Sequence, residues 1–225
     1  MFPALPVRLQ HGLKQGLLFT SLAAAAALLP ATASAAVAGS TGAIGGWDEA
    51  VNGDLSGDGL APSFVALMEG SNILRGTTGR NADTSLVDLD YLTISVPSGF
   101  ELTSMLVLDG TASIGFGSFI GLVAGDTFPV PPSAPDASGL LGWTLFDAGN
   151  VGGDLLLFMS APSFGSVGFT PPLPAGEYSF WIQETGIGVA SYNFDMTLAA
   201  VPEPATALSL LGGLALLTAA ARRRR

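Results

Sequence analysis

The sequence has no cysteine, one histidine and one lysine, and these absences exclude several kinds of chemistry. Both His11 and Lys14 lie near the N-terminus, so residues 36–200 contain no Cys, His or Lys. That stretch therefore cannot support a cysteine nucleophile, Ser-His-Asp or Ser-Lys catalysis, Schiff-base chemistry or histidine-ligated zinc. Because no disulfide can form, its stability must come from an apolar core, and 165 residues are enough to build one.

Positive charge is also scarce. Of the eight Lys and Arg residues only Arg75 and Arg80 lie within residues 36–200, whereas 17 of the 18 acidic residues lie there. The resulting net charge of about −15 repels nucleic acid and anionic membrane surfaces, and it favours cations or neutral partners. We expect no nucleic-acid binding, and we expect the two arginines to pair with nearby acids.

The N-terminal residues have the three-part pattern of a secretory signal. A basic stretch that ends at Lys14 is followed by an apolar stretch at 16–29 and by the small residues Ala33 and Ala35. We therefore predict a signal peptide over residues 1–35, which the secretion translocon recognises and which is cleaved after the small residues. The alternative is a retained membrane anchor, for which the apolar stretch is short.

Residues 36–200 contain many short stretches that are typical of strands. In "SYNFDMTLA", residues 191–199, apolar and polar side chains alternate, and Pro-x-Gly turns separate other alternating stretches. We predict an all-β fold with one antiparallel β-sandwich, jelly-roll-like, over residues 36–200. The proline-rich segment 128–139 is predicted to be an exposed loop. Strands are predicted at 64–68, 72–75, 91–96, 102–108, 113–116, 119–123, 140–146, 155–159, 178–183 and 192–198.

The C-terminal segment, residues 201–225, reads "VPEPATALSLLGGLALLTAAARRRR". Residues 205–221 carry no charge and would form a helix of about 26 Å, which approaches the ~30 Å of a bilayer core when the preceding residues are included. Arginines after such a helix stay in the cytoplasm, which places the acidic part outside. We predict a transmembrane helix here, so that helices flank the sandwich on both sides.

This segment resembles the PEP-CTERM sorting signal of Gram-negative bacteria, which is read by exosortase. The resemblance rests on Pro202, Glu203 and Pro204, the apolar stretch, and the basic tip of Arg222, Arg223, Arg224 and Arg225. It implies a precursor held in the inner membrane until it is processed, and a protein that then joins the cell surface or extracellular matrix. It also implies an association with exopolysaccharide and biofilm. The alternative is an ordinary anchor in which Pro-Glu-Pro occurs by chance.

Two acidic segments could bind a cation. In "NGDLSGDG", Asn52, Asp54, Ser56 and Asp58 occupy alternate positions, and this spacing lets a tight loop direct several oxygens at a hard cation such as calcium. The segment begins like an EF-hand loop but has Ser63 where that loop has a bidentate Glu.

The second acidic segment carries Asp83, Asp88 and Asp90. Stretches such as "DLDYLTISVPSGFELTSMLVL" and "EYSFWIQETG" resemble the β-sandwich of bacterial pre-peptidase C-terminal domains. That resemblance implies non-catalytic surface binding or assembly, with calcium held by these three aspartates. The alternative for both acidic segments is solvated carboxylates at turns and strand edges.

The three tryptophans, Trp47, Trp143 and Trp181, could form a platform for carbohydrate stacking or could pack in the core. Trp181 is expected to be the exposed one, because it alternates with Phe180 and Ile182. We expect a non-enzymatic, exported protein of the cell surface or extracellular matrix. The alternatives are a calcium- or carbohydrate-binding module and a glycosidase that uses two close carboxylates.

Overall fold

The computed structural model describes residues 45–84, 86–133 and 136–202 of the 225-residue chain. Among these residues, no helix is long and apolar enough to cross a membrane. The predicted flanking helices lie outside the described residues and stay predictions. The same holds for these predicted positions: Ala33, Ala35, Glu203, Pro204, Arg222, Arg223, Arg224 and Arg225.

Nine strands and two short α-helices make up the regular structure of the described residues, which confirms the all-β prediction. Five of the ten predicted strands lie inside longer ones, and 102–108 and 140–146 overlap β5 and β7. In contrast, 113–116 forms no strand, 64–68 contributes only the end of a two-residue strand, and 155–159 lies in a helix. The elements are β1 Gly45–Asp48, α1 Glu49–Asn52, β2 Ser63–Phe64, β3 Gly70–Arg80, β4 Val87–Val96, β5 Phe100–Val107, β6 Ser118–Ala124, β7 Gly142–Phe146, α2 Leu155–Ser160, β8 Gly176–Glu184 and β9 Gly188–Ala200.

The strands form two layers. The first sheet has the order β5–β9–β3–β1 and the second β2–β4–β8–β6–β7, and they are joined where the end of β3 pairs with the start of β4. Buried apolar side chains from both sheets form one cluster, which is consistent with a β-sandwich. The predicted antiparallel arrangement needs a correction, because β1 and β2 are short edge strands that pair in parallel with β3 and β4.

The strand order is that of a jelly roll with one position altered. Strands β3 and β9 pair, β4 and β8 pair, and β5 and β6 lie beside β9 and β8 respectively. In a jelly roll another strand would follow β7 and lie beside β5. Here helix α2 occupies that part of the chain, and two isolated bridges, Leu102 with Leu173 and Leu106 with Asp154, are the strand-like contacts with β5 among the described residues of this region.

The helix at this position corrects the strand that the sequence predicts over Leu155–Met159. The carboxylate of Asp154 accepts hydrogen bonds from the backbone N–H groups of Leu156 and of Met105 in β5, each at 3.0 Å. It therefore caps the helix and fixes it to the sheet. The buried positions 155, 156 and 159 follow helical spacing rather than alternation, which a run of apolar residues conceals in the sequence.

A second, smaller core covers the outer face of the second sheet. The proline-rich segment 128–139 is not simply exposed, because Phe128 and Val130 are buried against Tyr91 and Trp181. Trp181 is only 2% exposed, so the expectation of an exposed indole is wrong. The alternation of apolar and polar residues could not predict the burial of Trp181, because β8 is covered on both faces.

Glu184, at the end of β8, is a fully buried carboxylate held by hydrogen bonds alone. Its oxygens accept from the backbone N–H groups of Ile114, Gly115 and Gly186 and from the hydroxyl of Ser118, at 2.6–3.3 Å. Burial acts to raise the pKa of Glu184, but these donors together lower it below the ordinary value.

We expect Glu184→Gln to lower the free energy of unfolding by about 1–3 kcal/mol at pH 7, because an amide nitrogen cannot accept these hydrogen bonds. Since the folded pKa is the lower one, the stabilisation is complete above the unfolded pKa of about 4.3 and is lost as the pH falls through the folded pKa. Denaturant unfolding between pH 2 and 7 should therefore give a flatter acid limb for the variant. The exposed Glu177→Gln on the same strand is the control, and parallel curves for Glu184→Gln and the wild type would contradict the prediction.

We expect Phe128→Ala to lower the free energy of unfolding by about 3–5 kcal/mol, because it empties the centre of the second core. The matched control is Phe116→Ala, since Phe116 is 97% exposed and should change the stability little. Chemical denaturation of both variants measures the difference. Equal stabilities of the two variants would mean that the proline-rich segment does not contribute to the core.

Candidate functional site

Three carboxylates from different parts of the chain converge beside the first sheet. Glu49 begins α1, Asp54 follows that helix, and Asp90 lies in β4. One carboxylate oxygen from each lies within 4.8 Å of the other two. Asp54 is exposed, Glu49 is half-buried and Asp90 is fully buried, so the cluster reaches from solvent into the interior. We call these three residues the acidic cluster.

A capped helix and a glycine turn determine where Glu49 and Asp54 lie. The Asp48 carboxylate accepts from the backbone N–H of Ala50 at 3.0 Å and so caps α1. Gly53 ends the helix with a φ of +89°, a conformation that favours glycine, and the chain then continues to Asp54. Pairing of β1 with β3 places this short helix against the first sheet.

Tyr192 of β9 connects two members of the cluster. Its hydroxyl oxygen lies 2.8 Å from Asp90 Oδ2 and 3.2 Å from Glu49 Oε1, so a single proton serves both carboxylates. The other Glu49 oxygen accepts from the backbone N–H of Thr77 at 2.8 Å. A Cβ at Gly76 would collide with both Tyr192 Oη and Glu49 Cδ, so the absence of a side chain at Gly76 makes room for this contact.

The cluster carries more negative charge than its hydrogen bonds satisfy. Asp90 Oδ1 is buried and has no hydrogen-bond partner among the residues that the structure describes. Burial raises the pKa of Asp90 to about 8, the charge of Glu49 adds to this, and the hydrogen bond from Tyr192 opposes it. Burial and the charges of Asp54 and Glu49 also raise the pKa of neighbouring Asp88. The arrangement therefore favours either a bound proton or a bound cation.

The structure brings together only part of each acidic segment singled out in the sequence. Asp54 and Asp90 lie together in the cluster, and Asp88 is close enough that the charges of Asp54 and Glu49 raise its pKa. Asn52, Asp58 and Asp83 do not belong to the cluster. The Asn52 side chain accepts from the backbone N–H of Asp48, the Asp58 carboxylate accepts from that of Leu60, and Asp83 is exposed in the turn after β3.

Glu49 is the member that the sequence reasoning missed. It lies outside the alternating "NGDLSGDG" pattern, and its signal is the preceding Asp48, which caps the short helix. Arg75 pairs with that Asp48 at 3.4 Å, as expected for this arginine, but both side chains are substantially exposed and the pair contributes little.

Three oxygen ligands at this spacing suit a hard cation. Glu49 and Tyr192 also line an open groove of about 570 Å³, through which a hydrated ion can approach. Acid–base hydrolysis fits less well. Full burial keeps the Asp90 carboxyl out of contact with a glycosidic bond, and general acid catalysis requires that contact.

The tryptophans do not form one platform. Trp47 packs against the main core and donates its indole N–H to the backbone carbonyl of Gly53 at 2.8 Å. Trp143 and Trp181 instead line a second groove on the outer face of the second sheet, together with Phe119 and Phe164. We call this the aromatic groove.

Phe164 is the member of the aromatic groove that the sequence did not indicate. It is 86% exposed, and its φ of +48° lies in the left-handed region. For a bulky residue this conformation costs on the order of 1–2 kcal/mol. Its ring centroid lies 5.6 Å from that of Trp143, and Trp143 in turn lies 5.9 Å from Phe119.

Comparison with known protein families matches residues 200–225 to the PEP-CTERM protein-sorting motif. No curated protein and no solved structure matches the chain. The resemblance of the middle region to pre-peptidase C-terminal domains is consistent with the β-sandwich at the level of the fold. The matched segment confirms the sorting signal that Pro202, Glu203 and Pro204 indicate. The protein thus carries a PEP-CTERM sorting motif, which marks it as an exported exosortase substrate that is anchored in the membrane before it is processed.

Proposed function

We propose that this chain is a non-catalytic component of the cell surface or extracellular matrix of a Gram-negative bacterium, where it acts with exopolysaccharide. We further propose that its β-sandwich binds calcium at the acidic cluster. One observation carries the calcium proposal: the buried Asp90 carboxylate has an unpaired oxygen beside Glu49 and Asp54. The secretion translocon would deliver the chain, and exosortase would release it from the membrane.

A bound cation would neutralise the negative charge of the acidic cluster better than the protein's own side chains can. Within residues 36–200 there are only two arginines, and the one ion pair among the described residues joins Arg75 to Asp48. Calcium accepts six to eight oxygen ligands in flexible geometry, so three carboxylates can be completed by water from the open groove. Magnesium demands stricter octahedral geometry and releases its water reluctantly, so this site favours calcium.

Bound calcium would stabilise the N-terminal edge of the domain. Glu49 and Asp54 belong to the segment that follows β1, whereas Asp90 belongs to β4 and is hydrogen-bonded to Tyr192 of β9. An ion among these carboxylates therefore joins the short first helix to both sheets. Such an effect suits a protein without disulfides that works outside the cell.

We expect 10 mM calcium to raise the free energy of unfolding by about 1.4–2.7 kcal/mol, which corresponds to a dissociation constant of 10⁻⁴–10⁻³ M. Thermal unfolding of the full chain in detergent at pH 8.5, with calcium or with chelator, measures this. A pH above 8 is chosen because the pKa of Asp90 is raised, and a cation competes less with a proton for this carboxylate as the pH rises.

Asp90→Asn should abolish the calcium effect, because it removes the buried ligand charge. The matched control is Asp58→Asn. Asp58 lies in the same loop as Asp54 but outside the acidic cluster, so this variant should keep the full calcium effect. Terbium luminescence sensitised by Tyr192 gives an independent readout. An unfolding temperature that calcium leaves unchanged would sink the calcium proposal, and so would an equal loss in both variants.

A further inference from the structure

The aromatic groove has a volume of about 570 Å³ and lies on the outer face of the second sheet. Its aromatic side chains are accompanied by Leu140 and, at the rim, by Asp136. We propose that the aromatic groove binds a neutral polysaccharide by stacking one or two sugar rings on Trp143 and Phe164. This inference deepens the proposed association with exopolysaccharide and rests on it, but it does not require the cation.

The rings of the aromatic groove are held in place before any ligand arrives. Trp143 is half-buried, and its indole N–H donates to the backbone carbonyl of Ser163 at 3.2 Å. Phe119 packs beside it and lies edge-on to Trp181 at 4.8 Å. A fixed, half-buried indole suits the C–H face of a pyranose, because little conformational freedom is lost when the sugar binds.

Phe164 is held in an exposed position that the fold itself does not explain. The Ser163 backbone N–H donates to Ser166 Oγ, and that hydroxyl donates back to the Ser163 carbonyl, each at 2.9 Å. This turn keeps a strained phenylalanine in solvent beside Trp143. An exposed ring gains little from the apolar core, so its position is best explained by a ligand that covers it.

Polar groups around the aromatic groove suit sugar hydroxyls. Asp136 is exposed at the rim, and its Oδ1 accepts from the backbone N–H of Ser138 at 2.9 Å. That hydrogen bond lowers the pKa of Asp136. An ionised carboxylate has about four acceptor positions, so others remain for hydroxyl donors. The indole N–H of Trp181 is buried, and it has no hydrogen-bond partner within residues 45–84, 86–133 and 136–202.

Charge selects a neutral glycan over an acidic one. The described residues that line the aromatic groove are apolar, aromatic or acidic. The surrounding domain carries a net charge of about −15, so a uronate- or sulfate-bearing polymer meets repulsion without a compensating cation. A neutral polysaccharide meets none of this repulsion, and its hydroxyl groups can donate hydrogen bonds to the Asp136 carboxylate.

The test is binding of neutral and acidic oligosaccharides to the full chain in a detergent that contains no sugar, followed by calorimetric titration of the best ligand. We expect binding to neutral oligosaccharides only. Phe164→Ala should weaken it at least tenfold with an unchanged unfolding temperature, and Asp136→Asn should weaken it severalfold. Phe116→Ala, which removes another highly exposed phenylalanine outside the aromatic groove, should leave the affinity unchanged.

Several outcomes would overturn the inference. These are no binding to any neutral oligosaccharide, preference for acidic ones, or equal affinity in Phe164→Ala and the wild type. Concentration-dependent dimerisation that Phe164→Ala abolishes would also overturn it, because a second copy would then be the occupant. Titrations of Asp90→Asn, and of the wild type in chelator, separate the two proposals: glycan binding that persists there while calcium has no effect contradicts only the calcium site.

Discussion

The carboxylates of this domain have almost no cationic side chains to pair with, and backbone N–H groups take that role. Seventeen acids share residues 36–200 with two arginines, so each acid that is not left in water needs another donor. The turns and helix starts supply these donors, which ties the charge of the domain to its local backbone geometry. Among the described residues, the carboxylates that accept from backbone N–H groups are Asp48, Glu49, Asp58, Asp136, Asp147, Asp154, Glu184 and Asp195.

Asp90 is the exception that gives the acidic cluster its chemistry. Glu184 is equally buried, but four donors stabilise its charge, whereas Asp90 has one hydroxyl donor and an unpaired oxygen. The pKa values of the two carboxyls are therefore shifted in opposite directions: that of Glu184 is lowered and that of Asp90 is raised. Burial alone does not decide the state of an acid here; the hydrogen-bond donors within reach and the charges of neighbouring acids decide it as well.

The sequence predicts those features in which one face of a strand meets the core. Alternation in 191–199 identified β9, because its partners leave one apolar and one polar face. The burial of Trp181 and the helix at Leu155–Met159 were not predicted. A strand covered on both faces and a short capped helix both appear in the sequence as runs of apolar residues. Asp54 and Asp90 were visible as acids, but their meeting with Glu49 depends on contacts between distant segments that no local pattern encodes.

The position of β9 in the first sheet constrains how an exported chain can fold. This last strand lies between β3 and β5, and its pairing with β3 covers all of β3 and residues 188–198 of β9. The first sheet therefore lacks its middle strand until the last strand of the domain is available for pairing, so the fold depends on contacts between distant parts of the chain. The sorting motif begins at the very end of this strand. The strand that completes the first sheet is thus continuous in sequence with the sorting motif, and little chain separates the last buried position of the domain from the segment that directs its processing.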